Sequence, residues 1–278
     1  MTGAPAAEPP HRPHVEPGRI ANLASRALIA VGGADWRGFL QGLLTQDVDT
    51  LAPGEARFAA LLTPPGRLLH DLFLVGREDG CWLECQASAR AALLRRLTIY
   101  RLRAKVSLDL DEAPIYAAWG ASPGGGWTAD PRLPALGWRG YGLAAAPNAD
   151  EADYELHRLA VGAPGPADWG EDATYPLEAD FDLLNGVDFR KGCFVGQETT
   201  SRMKRRGSIK SRMLPITFEG AAPPAGAEIL AGTLRAGQVL SGAEGRAMAL
   251  LRLDRVQGAA LTVDGRACVV ETPDWMPA

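Results

Sequence analysis

The sequence predicts an α+β protein that ends in a small β-barrel. Three features point that way. Helical spacings and strand-like apolar runs are interleaved through the first two thirds of the chain. From about Leu214 the pattern changes to short apolar runs separated by glycine-containing turns. The composition, 46% hydrophobic and 22% charged over 278 residues, is that of an ordinary globular chain with room for more than one core.

In chain order, Ala27–Val31 is a short apolar strand. Trp36, Phe39, Leu40, Leu43 and Leu44 follow at i, i+3, i+4, i+7, i+8 spacing, one face of a helix. Two apolar runs flank Thr63-Pro64-Pro65-Gly66, a turn signal, and predict a hairpin. Glu78-Asp79-Gly80 marks another turn before a strand over Cys81–Cys85. Ser88–Tyr100 reads as a helix with Ser88 as N-cap and with Leu93, Leu94, Leu97 and Tyr100 on its apolar side. Val106–Leu110 returns to strand, Gly120–Gly126 is a loop, and Tyr154–Val161 is helical. Residues 162–176 are loop. Ile229-Leu230, Gln238–Leu240, Ala247–Leu253 and Ala267–Val270 supply barrel strands. These readings divide the chain into a disordered tail (1–18), a body (19–211) and a barrel (212–278).

The net charge of −4 gives no overall attraction to nucleic acid. No apolar run reaches the roughly 18 residues of a membrane span, so no membrane partner is expected. The first residues lack the apolar core of a secretory signal, and four cysteines in a chain of this size need no disulfides; a cytoplasmic protein with reduced thiols is the expectation.

The densest chemical signal lies between Phe189 and Arg212. Gly192 and Gly196 bracket Cys193-Phe194-Val195, and Gln197–Arg205 has helix-forming composition, with Glu198 and Arg202 four apart on one face. Cys193 follows Arg190 and Lys191 and precedes a helix start, surroundings that favour thiolate. The residues alone leave two readings: a reactive or metal-touching cysteine, or a buried inert one in a tight turn. The run Arg202, Lys204, Arg205, Arg206, Lys210, Arg212 is either a solvated face or a site for an anionic ligand, a polyglutamate tail or an RNA backbone. The acidic overall charge makes RNA the less favoured partner.

Lys191-Gly192-Cys193-Phe194-Val195-Gly196-Gln197-Glu198 resembles the K-G-C-[FY]-x-G-Q-E signature of YgfZ-type iron–sulfur cluster assembly proteins, relatives of the glycine cleavage T-protein. Phe39–Val48 is similar to that family's F-L-Q-G-x-x-T-x-D-V segment, Leu62–Arg67 with Asp71 to its first hairpin, and Tyr100–Val106 to its Y-x-L-R-x-K-V stretch. The resemblance covers residues 20–215 well and the last part only in general character. It implies a T-protein-like body of two α+β lobes around a central opening, followed by the barrel. It also implies bound tetrahydrofolate, a role in iron–sulfur assembly or repair with assembly proteins or client enzymes as partners, and support of cluster-dependent enzymes that thiolate tRNA.

On that resemblance, Lys191 and Cys193 are the expected reactive edge, and Asp71, Tyr100, Arg101, Arg103, Gln197, Glu198 and Arg202 the expected folate-binding set. No stably bound metal is expected. A tetrahydrofolate-dependent aminomethyl- or methyltransferase is the alternative. Against it, Ala160 stands in Arg158–Gly162 where the T-protein's glutamate grips the pterin, and alanine accepts no N–H. Cys81 and Cys85 lie about 13 Å apart on a strand, too far to ligate one small cluster together, and read as core. His70 and Asp71 alternate across a strand and do not form a dyad, and His157 is an ordinary helix residue.

Overall fold

The computed structural model describes residues 18–277 except Glu171 and Ser208. The expected N-terminal tail, apart from Gly18, lies outside the described residues. The first half of the chain forms β1 (Arg19–Asn22), β2 (Arg26–Gly32), α1 (Trp36–Gln41), β3 (Ala56–Leu62), β4 (Leu68–Arg77), β5 (Gly80–Gln86), α2 (Arg90–Arg101) and β6 (Ser107–Asp111). It continues with β7 (Ile115–Trp119), β8 (Thr128–Ala129), β9 (Trp138–Tyr141), α3 (Glu151–Val161), α4 (Pro166–Trp169) and α5 (Gln197–Arg206). The C-terminal part contains β10 (Ser211–Phe218), β11 (Glu228–Ala231), β12 (Leu234–Ala243), β13 (Arg246–Arg252), α6 (Leu253–Val256), β14 (Leu261–Val263) and β15 (Arg266–Val270).

The strands form a five-stranded sheet, β3-β4-β5-β2-β6, a four-stranded sheet, β1-β7-β9-β8, and a closed barrel, β10-β13-β12-β11-β14-β15. Closure pairs Ile216 with Val270 and removes the barrel's sheet edges. Its interior is filled by Ile216, Ile229, Val239, Leu251 and Val263.

Strand alternation sorts the five-stranded sheet into two faces. Ile29, Val31, Leu72, Leu74, Cys81, Leu83 and Cys85 pack against Leu40, Leu93 and Leu97 of the helices. The opposite face carries Phe58, Phe73, Leu28 and Val75, which meet Phe181 and Trp169 on one side and Ile115, Trp119 and Tyr141 of the four-stranded sheet on the other. This second face is where the lobes join, and Arg26, Asp71 and Glu84 belong to it.

Local departures from expectation have local causes. Trp36–Gln41 is helix, but Leu43 and Leu44 lie beyond its end, still buried. The chain breaks out there because Thr45 pairs with Ala60: its N–H donates to the Ala60 carbonyl at 3.1 Å and its hydroxyl oxygen accepts from the Ala60 N–H at 2.7 Å. Ser88 is not the N-cap: a 3-10 turn over Ala87–Ala89 comes first, its Ala87 N–H already taken by the Ser25 carbonyl, and Ala89 occupies the cap position. Helix α3 starts at Glu151, earlier than expected, on a reciprocal capping box between Asp150 and Asp153.

The hairpin turn expected at Thr63–Gly66 is present and is a docking point. A Cβ on Gly196 would sit 2.9 Å from Gly66 Cα and 2.9 Å from the Thr63 carbonyl oxygen, and both glycines have positive φ, +90° and +83°. Two chain segments touch backbone to backbone there, so only glycine fits. Gly196→Ala should cost about 1–3 kcal/mol of stability in urea denaturation. Gly192→Ala, where nothing lies within 4 Å of an added Cβ, should be silent in the same measurement.

Candidate functional site

The signature segment is held at both ends. The Lys191 ammonium donates to the carbonyl oxygens of Gln41 (2.8 Å), Leu44 (2.6 Å) and Gln46 (3.0 Å). Its three N–H bonds are all used in tying the late segment to the turn after α1. Thr45 strengthens the same joint: its hydroxyl donates to the Gly186 carbonyl at 2.6 Å and its carbonyl accepts from Asp188 N–H at 2.9 Å. At the other end Gly196 rests on the hairpin and caps α5 in the left-handed conformation. Phe194, between the two anchors, is buried in the lobe-joining core.

Cys193 sits on this braced loop with its side chain exposed. The inert, buried reading of this cysteine is excluded. Cys81, Cys85 and Cys268 are buried, and burial pushes the Cys81 and Cys85 thiols up to about 12. Cys193 is therefore the accessible thiol. Lys191 does not share a reactive edge with it, contrary to expectation. Burial lowers its ammonium to about 8, against the pull of Asp47, Asp188 and Asp49, but its protons are directed at carbonyls and not at the thiol. Lys191→Met should remove about 1–3 kcal/mol of stability by leaving those carbonyls without their donor. The measurement is a urea melt, with thiol labelling of Cys193 to report loss of the loop's fixed shape.

Helix α5 is tied down at its base. Arg212 on β10 donates to Asp180 at 2.6 Å and to Asp182 at 3.0 Å, and Lys204 on α5 reaches Asp182 at 3.0 Å. Burial, with the neighbouring Asp182 carboxylate, pushes Asp180 up to about 8 from its ordinary 3.8, against the attraction of Arg212. The folded state thus retains a proton that the unfolded chain gives up between those values. The stabilisation from this group is complete below about pH 4 and is lost as pH rises through about 8. Asp180→Asn should flatten that part of the stability profile, read as denaturation midpoints at acidic and mildly alkaline pH.

The expected folate set does not come together. Asp71 lies on the lobe-joining face of β4, whereas Tyr100 packs with α2 against the opposite face. Arg101 turns back to the Val106 carbonyl and Arg103 is exposed. The sheet separates them, because α2 covers the face that Leu72 and Leu74 present and Asp71 alternates to the other. Gln197 reaches the Gly192 carbonyl at 3.4 Å, and Glu198 and Arg202 form an exposed pair at 3.7 Å on α5. These three belong with Cys193. Ala160 is exposed, with its carbonyl held by Arg246 of the barrel.

The space between the lobes is filled by the protein's own charges. Glu84, fully buried, accepts from Arg26 (2.7 Å), twice from Arg139 (2.7 and 2.9 Å) and from the Tyr141 hydroxyl (2.8 Å). Arg26 also pairs with Asp71 at 2.8 Å, and Asp130 with Arg132 and Arg139 at 2.8 and 3.2 Å. The Arg139 guanidinium lies 3.7 Å from the centre of the Phe73 ring. The remaining cavity, bordered by Arg26, Asp71, Arg132, Arg139 and Tyr154, is about 30 Å³, the space of roughly one water. A pterin does not fit it, so no step through folate is derived. Sequence reasoning missed this network. Glu84 and Arg139 are far apart in the chain, and the segment carrying Asp130, Arg132 and Arg139 has no periodicity of its own.

A body of two sheets joined face to face, followed by a closed barrel, defines a class. The chain matches the crystal structure of glycine cleavage system aminomethyltransferase T from Bartonella henselae with a TM-score of 0.74 at 18% identity, over 93% of this chain and 86% of that one. The protein has the T-protein fold. Residues 210–278 match the family described as CAF17, C-terminal beta-barrel domain. Among sequence relatives, the human protein named iron-sulfur cluster assembly factor IBA57, mitochondrial, is 32% identical over 92% of this chain and 84% of its own length. The Neurospora crassa IBA57 homolog is 34% identical over 73% of this chain, which spans 55% of it. The chain belongs to the IBA57 family of iron–sulfur cluster assembly factors. Both relatives are named as mitochondrial, which overturns the expected cytoplasmic location and points to the mitochondrion instead.

Proposed function

We propose that this chain serves iron–sulfur cluster assembly as its relatives' names describe, with the Cys193 thiol as the group it offers to a cluster or to the protein carrying one. In finer terms it is of the YgfZ type, on the Lys191–Glu198 signature. The observation that carries the reading is an accessible thiol on a loop pinned by Lys191 on one side and Gly196 on the other. A fixed thiol loses little conformational freedom when it becomes a ligand.

One cysteine does not hold a cluster alone. Such clusters take about four ligands. The three other cysteines are buried, and among the described residues no group of three or more His, Cys, Asp or Glu is placed to hold a metal ion. The cluster is therefore cargo shared with a second protein, which supplies the remaining ligands. Cys193 loses its proton and contributes one thiolate. Client enzymes that depend on such clusters, tRNA-thiolating enzymes among them, are the ones that would register its loss.

Cys193→Ser tests this directly. In cells lacking the native gene, the variant should leave cluster-dependent activities and tRNA thiolation at the level of the deletion, while its melting temperature matches the parent. Full rescue by the serine variant removes the thiol from the mechanism.

A further inference from the structure

The segment that carries Cys193 is cationic in a chain whose net charge is −4. Between Phe189 and Arg212, Glu198 is the only acid. Arg190, Arg202, Lys204, Arg205, Arg206 and Lys210 are all exposed. Arg202 faces Glu198 at 3.7 Å and Lys204 pairs with Asp182. No carboxylate lies within ion-pair distance of Arg190, Arg205, Arg206 or Lys210 among the described residues.

Beside this patch runs an open groove of about 480 Å³, lined by Phe189, Gln197, Glu198, Ser201, Lys204 and Arg205. The Phe189 ring is 36% exposed, with the Lys204 ammonium 5.5 Å from its centre. The groove thus combines a partly exposed aromatic ring with Arg205, which has no carboxylate partner, and Lys204, which is shared with Asp182. Gln197 joins the groove to the Cys193 loop, since it lines the groove and bonds the Gly192 carbonyl.

We infer that this groove docks an acidic segment of the protein that shares the cluster, a stretch with one apolar or aromatic anchor over Phe189 and flanking Asp or Glu side chains against Arg205 in the groove and against the exposed Arg190 and Arg206 of the same segment outside it. The inference rests on the reading of Cys193 as the cluster-facing thiol and names the partner's surface. Charge complementarity selects the occupant. Opposite charges across a rim speed encounter and suppress wrong partners, while a buried aromatic anchor supplies most of the affinity. A cluster held by thiolates is itself anionic, so the same cations favour its arrival. Because the cluster is proposed to be shared with a second protein, a segment of that protein is the occupant, and RNA is left as an outcome of the test.

The experiment uses the full chain and fluorescence anisotropy with three labelled probes: a peptide of glutamates around a central phenylalanine, the same peptide with glutamine for glutamate, and a single-stranded RNA of similar length. The acidic peptide should bind saturably, more weakly as salt rises from about 50 mM to about 300 mM. R205E/R206E and Phe189→Ala should each weaken it roughly tenfold or more. R95E/R96E on α2, a charge reversal elsewhere, should leave it unchanged, as should Cys193→Ser. Equal binding of the neutral peptide, tighter binding of RNA, or indifference to both groove variants overturns the docking site. Retained peptide binding alongside a silent Cys193→Ser in cells would instead sink the proposed thiol role and leave the groove standing.

Discussion

Three carbonyl oxygens, from Gln41, Leu44 and Gln46, converge on the ammonium of Lys191, and the position of the loop that carries Cys193 depends on that convergence. A carbonyl without a donor is costly in a partly dry site, and an ammonium without acceptors more so. Each side therefore holds the other in place. The early segment Phe39–Val48 and the late segment Lys191–Glu198 are two halves of one joint, with Thr45 bonded to Gly186 and Asp188 beside it. From this joint the chain has only a few residues before Gly196 fixes it again on the hairpin. The geometry of Cys193 is set by these two contacts.

The alternation of side chains across the five-stranded sheet decides what the rest of the fold can do. One face is packed by α1 and α2 into an apolar core. The other carries Arg26, Asp71 and Glu84 to the lobe interface, where Arg132 and Arg139 meet them. In a fold shared with an aminomethyltransferase, this is the space where a ligand would be looked for. Here side chains fill it, and the accessible thiol lies elsewhere, on the loop before α5. Fold alone is a weak guide to such a difference.

Much of this was legible in the sequence. The hairpin at Thr63–Gly66, helix α5 and the barrel strands all follow from local signals: turn residues, helical composition and short apolar runs between glycines. Faces within one element read correctly, Cys81 and Cys85 in the core among them; what failed was which elements' faces meet. Asp71, Tyr100, Arg101 and Arg103 lie close in sequence to motif segments, yet strand period and helix placement put them on opposite sides of a sheet. Lys191 beside Cys193 suggests an electrostatic partnership, and only the fold shows its ammonium directed elsewhere. The buried charges of Glu84, Asp130 and Arg139 gave no signal, because charged residues in short polar stretches usually read as surface.

The interface network also decides how the molecule comes apart. Glu84 hangs from the five-stranded sheet and Arg139 from the four-stranded one, each with no exposure to speak of and each the other's chief counter-charge. Pulling the lobes apart would break the Glu84–Arg139 pair and leave Glu84 with Arg26 and Arg139 with Asp130, each buried group short of one counter-charge. That cost couples the two sheets, so that opening one lobe weakens the charge balance of the other and of the platform under the thiol.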